Sequence, residues 1–220
     1  MTGNGAQPFA AQRSAMVERQ LRQRGIQDER LLAAMGQVPR HEFVSRENWG
    51  QAYADHPVGI PEQQTTSQPY IIAAMLQAAQ IKPQDRVLEI GAGSGYQTAI
   101  LAVLAQQVIA VERYASLAEA ACATLDRLGY RNVKVVTGDG SLGYKETAPY
   151  NAIIVSAAAP RVPPALAEQL APGGRMVVPV GDSRQQVLQL VTRDEQGNIT
   201  VRALEGCRFV PLVGEQGFKA

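Results

Sequence analysis

Three rhythms of apolar and polar positions succeed one another along the chain. Between Ala10 and Arg24, apolar residues such as Met16 and Leu21 are spaced among many polar ones, which predicts a helix that Gly25 suits as a left-handed C-terminal stop. Asp28 has the short oxygen-bearing side chain of an N-cap, and Leu31, Leu32 and Met35 supply the apolar face of a second helix that Pro39 closes. Met1 to Pro8 carries Gly, Asn and Gln with little apolar content and reads as a loose tail. The stretch Asp55-His56-Pro57-Val58-Gly59-Ile60-Pro61 reads as an extended loop that runs into the polar residues Glu62 to Ser67. At Ser67-Gln68-Pro69, serine suits an N-cap and proline a first turn, so a helix is expected through Ile71, Ile72, Met75 and Leu76.

From there, short apolar runs alternate with amphipathic stretches. Strands are expected at Arg86 to Ile90, Gln107 to Glu112, Val133 to Thr137, Tyr150 to Ser156 and Arg175 to Val180. Helices are expected at Tyr96 to Leu104, Ser116 to Leu128 and Pro164 to Leu170. Near-continuous apolar strands need cover on both faces, which a parallel sheet between helix layers provides. The rhythm changes again at Gln185 to Thr192 and Ile199 to Leu204, two strands joined across the turn-rich Glu195-Gln196-Gly197-Asn198. The expected fold class is α/β: a doubly wound, Rossmann-like, mostly parallel sheet with an antiparallel C-terminal hairpin and an N-terminal helical extension. Residues 1–9 are expected as a flexible tail, 10–66 as the helical extension and a substrate loop, and 67–220 as the core, forming one compact unit with the extension.

Composition narrows the class of partner. The chain has 220 residues, 45% of them hydrophobic, enough to bury one sizeable core. Its 21 basic and 20 acidic side chains leave a formal charge of +1, so no net field draws it to nucleic acid or to an anionic membrane, and a protein or small-molecule substrate fits better. Cys122 and Cys207 form no Cys-x-x-Cys pair and read as buried thiols in a reducing compartment. No signal-peptide core opens the sequence, and no run approaches the roughly 20 apolar residues of a membrane span, so a soluble, cytoplasmic protein is expected. No coiled-coil pattern appears, so a monomer is expected. His41 and His56 join no metal or hydrolase motif, and no metal is expected.

The candidate chemistry lies at the strand ends. Val87-Leu88-Glu89-Ile90 runs directly into Gly91-Ala92-Gly93-Ser94-Gly95, and a helix follows at once. Glycines there permit a tight turn and close approach of a ligand to the backbone, at the end of a strand where open sheets bind nucleotides. The dinucleotide pattern Gly-x-Gly-x-x-Gly would need glycine where Tyr96 stands, and the Walker pattern is absent, so an adenosine-containing cofactor other than NAD or a nucleoside triphosphate is favoured. Glu112 ends the next strand, where its carboxylate can accept hydrogen bonds from both hydroxyls of a ribose. Asp139, in Gly138-Asp139-Gly140 after the third strand, can accept from an adenine amino group, although such a residue also serves as an ordinary turn former.

Four stretches carry a family resemblance: Thr65-Thr66-Ser67-Gln68-Pro69-Tyr70, Arg86-Val87-Leu88-Glu89-Ile90-Gly91-Ala92-Gly93-Ser94-Gly95-Tyr96, Leu170-Ala171-Pro172-Gly173-Gly174-Arg175 and Arg208-Phe209-Val210-Pro211-Leu212. With them, nearly all of Met16 to Phe218 resembles the class I methyltransferases and, more narrowly, the protein-L-isoaspartate (D-aspartate) O-methyltransferase family. The second and third stretches are shared widely among methyltransferases; the first and last are specific. The family pattern Gly-Gln-Thr-Ile-Ser is altered here to Gln63-Gln64-Thr65-Thr66-Ser67, and Val58-Gly59-Ile60-Pro61 stands where Leu-Pro-Ile-Gly is usual.

The resemblance implies transfer of a methyl group from S-adenosyl-L-methionine to the free α-carboxylate of an L-isoaspartyl residue, or a D-aspartyl one, in damaged proteins, leaving S-adenosyl-L-homocysteine. The ester then closes to a succinimide and begins repair. On the same ground the cofactor falls to Thr65, Thr66, Glu89, Gly91, Ala92, Gly93, Ser94, Gly95, Glu112, Asp139 and Gly140, and the substrate to Asp55, Ser67, Val210, Pro211 and Leu212. A carboxylate of pKa about 4 is already ionised at neutral pH and needs no general base. Alignment of the reacting atoms must therefore carry most of the catalysis. Ser67 reads either as the cap of the helix entering at Pro69 or as a hydroxyl donor that holds the acceptor carboxylate. Rival readings are a methyltransferase with a small-molecule, nitrogen or RNA target and a non-catalytic cofactor-binding module.

Overall fold

A computed structural model describes residues 9–219; the expected loose tail, Met1 to Pro8, lies outside the described residues. The N-terminal extension begins with α1 (Ala10–Ala15), continues as a π-helical turn over Met16–Leu21 and tightens to a 3-10 turn over Arg22–Arg24. Bonding from residue i to i+5 in the π-helical turn brings Met16 and Leu21, both fully buried, towards one face. Gly25 ends the segment with φ of 95°, as the glycine signal predicts. Asp28 caps α2 (Glu29–Gln37) by accepting the amides of Arg30 and Leu31, and 3-10 turns over Arg40–Phe43 and Arg46–Gln51 follow.

The expected extended loop proves to be a small antiparallel hairpin, β1 (Val58–Ile60) and β2 (Gln64–Thr66). Its turn closes with the Gln64 amide donating to the Pro61 carbonyl at 3.2 Å, and both central residues, Glu62 and Gln63, hold positive φ of 59° and 56°. That is a type I′ turn, usually built with Asn or Gly. Neither residue carries the ordinary turn signal, which is why the hairpin is invisible in the sequence. Its tip is held by the Ser116 hydroxyl, which donates to Glu62 Oε1 at 2.6 Å.

The core starts at α3 (Pro69–Ala79) and alternates through β3 (Arg86–Ile90), α4 (Tyr96–Leu104), β4 (Gln107–Glu112), α5 (Ala115–Arg127), β5 (Val133–Thr137), β6 (Tyr150–Val155), α6 (Pro164–Glu168), β7 (Leu170–Gly181), β8 (Gln186–Arg193) and β9 (Ile199–Cys207). The sheet order is β5-β4-β3-β6-β7-β8-β9; β8 pairs antiparallel with both β7 and β9, and the other neighbours are parallel. Successive residues of a strand serve opposite layers. Val87, Val108, Ala152 and Ile154 pack under α3, α4 and the N-terminal helices, whereas Leu88, Ile90, Ile109 and Ile153 pack with Leu166, Leu170 and Leu212 on the other face. The extension thus shares one apolar layer with the core.

Cys207 is partly buried, but Cys122 is exposed, correcting the expectation of two buried thiols. Its place on the polar face of α5 is the reason, since Leu117, Ala118, Ala121 and Leu125 form the buried stripe of that helix. No described helix is long and apolar enough to cross a membrane.

Left-handed backbone is costly for residues that carry a Cβ. Gln63→Gly is expected to raise the unfolding free energy by roughly 0.5–1 kcal/mol, the relief of the strained φ exceeding the extra freedom of the unfolded chain. Urea unfolding midpoints of the two proteins check this, and a lowered midpoint would show that the turn carries no strain.

Candidate functional site

The chain runs outward from β3 to β4 and β5 and then returns to β6 on the other side of β3. Loops leaving β3 and β6 diverge, and a crevice opens at their carboxyl ends. The loop Gly91 to Gly95 turns in this crevice with Gly91, Gly93 and Gly95 at φ of 85°, 54° and 86°, conformations that glycine adopts without the strain a Cβ brings. Ile60 of the hairpin lies over the loop, 3.5 Å from where a Cβ on Gly93 would stand.

Glu112 fastens the loop from the next strand. Its Oε2 accepts the Gly93 amide at 2.8 Å and its Oε1 the Tyr114 amide at 3.0 Å, with the residue only 6% exposed. An ionised carboxylate offers about four acceptor positions, so it retains capacity for the two hydroxyls of a ribose. The carboxylate lines a narrow cavity together with Ile90, Gly91, Gly93, Gly140, Ser156 and the segment Val210 to Val213. A Cβ on Gly140 would come 2.5 Å from Ile90 Cγ2, so the wall there has no room for a side chain. Bare backbone, an acidic acceptor and an apolar floor fit the nucleoside of the expected cofactor.

Beside this cavity lies a more open recess lined by Arg113, Gly138, Asp139, Val213 and Gly214. Asp139 has structural work there: it accepts the amide and hydroxyl of Ser141 at 2.9 and 2.7 Å and the Glu215 amide at 2.8 Å. Partial burial works against its charge, but these hydrogen bonds and the Arg113 guanidinium outweigh it and hold the carboxyl below its ordinary pKa. The C-terminal segment is thereby tied to the end of β5.

A second cavity, of about 330 Å³, is walled by Arg24, Pro57, Ser67, Tyr70, Ile71 and residues 205–210. It meets the first at Thr65, Ser156 and Val210, which line both. Ser67 does not cap α3: the N-cap is Gln68, and the cap bond comes from Asp55, whose Oδ1 accepts the Tyr70 amide at 2.9 Å. Among the described residues the Ser67 hydroxyl has no hydrogen-bond partner, and its carbonyl accepts from Arg40 Nη2 at 2.8 Å. Arg40 is fully buried, also donates to the Ala52 carbonyl at 2.7 Å, and has its guanidinium 4.7 Å from the centre of the Tyr96 ring. Burial pulls its pKa down.

The remaining expected site residues separate into walls and supports. Asp55 is a support, engaged by Tyr70 and by an ion pair with Arg24, which itself stacks on Tyr70. Thr66 is buried against Arg40, and Ala92 is buried within its loop. Ser94 accepts the Tyr96 amide at 3.4 Å. Gly95 packs against α5, where a Cβ would stand 3.2 Å from that of Ala121. Pro211 and Leu212 lie on the wall of the first cavity, on the nucleoside side. Glu89 is wholly buried beneath the glycine loop, accepting from Gln97 Nε2 at 2.9 Å and from the Thr98 hydroxyl at 2.6 Å. Burial pushes its carboxyl up to about 8, against the pull of those two donors and with help from the charge on Glu112. Ser156, Gln97, Arg24 and Arg113 were not foreseen from sequence. For Ser156 a signal existed: it is the first residue after β6, a strand end at the point where the strand order reverses.

The protein-L-isoaspartate(D-aspartate) O-methyltransferase family model matches residues 11–217. A protein-L-isoaspartate O-methyltransferase of Koribacter versatilis is 55% identical over 210 residues, covering 96% of this chain and 94% of that protein. One from Protochlamydia amoebophila is 53% identical over 205 residues, covering 93% and 98%. Among solved structures, a protein-L-isoaspartate O-methyltransferase superposes with a TM-score of 0.84 at 30% identity, over 93% of this chain and 67% of that one. A Plasmodium falciparum chain assigned to the same activity, in complex with S-adenosyl-L-homocysteine, superposes with a TM-score of 0.79 at 28% identity, over 91% and 98%.

A raised carboxyl pKa in the fold makes stability fall with pH. Glu89 is expected to contribute stability fully below its unfolded pKa and to lose it as pH rises from about 4.5 to about 8. Glu89→Gln can keep both hydrogen bonds, accepting from Gln97 and donating to Thr98, without the titration. Urea unfolding at about pH 5 and about pH 8 should show a smaller fall for the variant than for the wild type, and equal falls would remove Glu89 as the cause.

Proposed function

The chain belongs to the protein-L-isoaspartate(D-aspartate) O-methyltransferase family, and from that membership we infer transfer of the methyl group of S-adenosyl-L-methionine to the free α-carboxylate of L-isoaspartyl residues in proteins. The observation that carries this to particular residues is the meeting of two cavities at Thr65, Ser156 and Val210, one suited to a nucleoside and one to a peptide. When bound, S-adenosyl-L-methionine supplies an electrophilic methyl on a sulfonium and leaves as the neutral thioether S-adenosyl-L-homocysteine.

Glu112 takes the ribose hydroxyls, and the Gly91 to Gly95 turn with Gly140 gives the nucleoside its close backbone approach. Asp139 faces the base while it holds the C-terminal segment. In the second cavity the Ser67 hydroxyl donates to the acceptor carboxylate, held in place because Arg40 grips the Ser67 carbonyl from below. The first turn of α3 and Arg208 favour an anion in this cavity, whereas Arg24 is engaged by Asp55 and Glu205 on the same wall opposes it. No side chain has to remove a proton, since the carboxylate is already ionised; aligning it and excluding water suffice. The methyl ester then closes to a succinimide, whose hydrolysis returns part of the material to normal aspartate.

With methyl-labelled S-adenosyl-L-methionine and matched isoaspartyl and aspartyl peptides, the isoaspartyl peptide alone is expected to gain label that mild base releases as methanol. Base-stable label, or none, would reject carboxyl methylation. Ser67→Ala is expected to lower kcat/KM by about 10- to 100-fold, the worth of a hydrogen bond to a charged group, with S-adenosyl-L-homocysteine affinity by calorimetry unchanged. Undiminished turnover would remove Ser67 from the reaction.

A further inference from the structure

Gln97, in the first turn of α4, stands between two partners. Its Nε2 donates to Glu89 Oε1 at 2.9 Å and to Ser156 Oγ at 2.8 Å. Chemistry sets the direction of both bonds. Glu89 Oε2 faces the Thr98 hydroxyl at 2.6 Å, and a hydroxyl can donate to a carboxylate or accept from a carboxylic acid. A proton taken up by Glu89 is therefore accommodated on the Thr98 side, and Oε1 remains an acceptor in either state. Gln97 must turn its NH2 towards Oε1, and the second hydrogen of the same group reaches Ser156. Ser156 Oγ is thus an acceptor inward, and its own O–H has no partner among the described residues. That hydroxyl belongs to one of three residues shared by the two cavities, where the methyl must cross.

We propose that the Ser156 hydroxyl donates to the carboxylate that receives the methyl group, as a second donor beside Ser67, with Gln97 and Glu89 as positioning residues that direct it. This rests on the carboxyl methyltransferase reading above. In the transfer a carboxylate oxygen forms the new C–O bond as the S–C bond breaks and its electron pair stays on sulfur. No proton moves, so Ser156 keeps its own throughout. A donor on the attacking oxygen would withhold the lone pair that must react, so the Ser156 bond belongs on the other oxygen, where it orients the group. It is also stronger to the carboxylate than to the ester, which places its effect on capture of the peptide.

The test compares the full chain with Ser156→Ala, Ser156→Thr, Gln97→Met and the Ser156→Ala/Gln97→Met double variant, using an isoaspartyl peptide and calorimetry with S-adenosyl-L-homocysteine. Ser156→Ala is expected to raise the peptide KM about tenfold with cofactor affinity unchanged, and Ser156→Thr, which keeps the hydroxyl, to restore it. Gln97→Met is expected to raise the peptide KM less, and to add nothing in the Ser156→Ala background, as for residues acting through one group. An unchanged peptide KM in Ser156→Ala, or a loss confined to S-adenosyl-L-homocysteine affinity, would overturn the assignment while wild-type activity keeps the parent reading intact. A wild type that leaves the isoaspartyl peptide unmethylated would overturn both.

Discussion

Pairing of β3 with β6, in parallel and with Ile90 opposite Val155, governs the site. The register sets Gly91 beside Ser156 at the point where one strand hands its chain to α4 and the other hands it to the opposite face of the sheet. Neither crossover can cover both ends, so a polar gap remains in an otherwise apolar sandwich. Open sheets of this kind offer such a gap as a place for a ligand, because the strands around it are already packed on both faces. The glycine loop, the Glu112 carboxylate and the segment Val210 to Leu212 are three answers to that one gap. The last of these pairs with Ala158 through two backbone bonds, at 2.8 and 2.7 Å, and so brings the end of the chain to the loop after β6.

Two buried ionisable groups support the floor of the cavities, and both follow the rule that a polar group taken from water must have its hydrogen-bonding atoms paired. Arg40 has no carboxylate partner among the described residues; backbone carbonyls and the face of Tyr96 meet its guanidinium instead. Glu89 meets a hydroxyl and an amide rather than a cation. Each group fixes one wall: Arg40 the junction of β2 and α3, Glu89 the first turn of α4. Rigid supports of this kind suit a reaction that asks for alignment and no proton transfer.

Much of this was legible in the order of residues. Strands buried on both faces announced themselves as apolar runs, and the helices between them by their stripes, so the observed elements differ from the expected ones chiefly at their ends. Pieces whose cause is remote in sequence were not legible. The cap of α3 is Asp55, 15 residues before the amide it accepts, while the serine next to the helix has no part in capping. The hairpin β1–β2 holds two left-handed residues, Glu62 and Gln63, that local preference would never place there. At the site, Glu112 and the glycines were legible because a strand end constrains residue type, whereas Gln97 and Ser156 depend on which helix turn faces which strand end.

Asp139 binds the amide of Glu215, and Gly214 fits against it so closely that a Cβ would stand 2.0 Å from Oδ1. The recess beside the nucleoside cavity is thus closed by a latch whose two halves stand 76 positions apart in the chain. Either half alone is an ordinary surface turn, and the recess takes its shape only when the two are folded against each other. A substitution at Gly214 would therefore act on the far side of the latch, by displacing the carboxylate that the end of β5 presents.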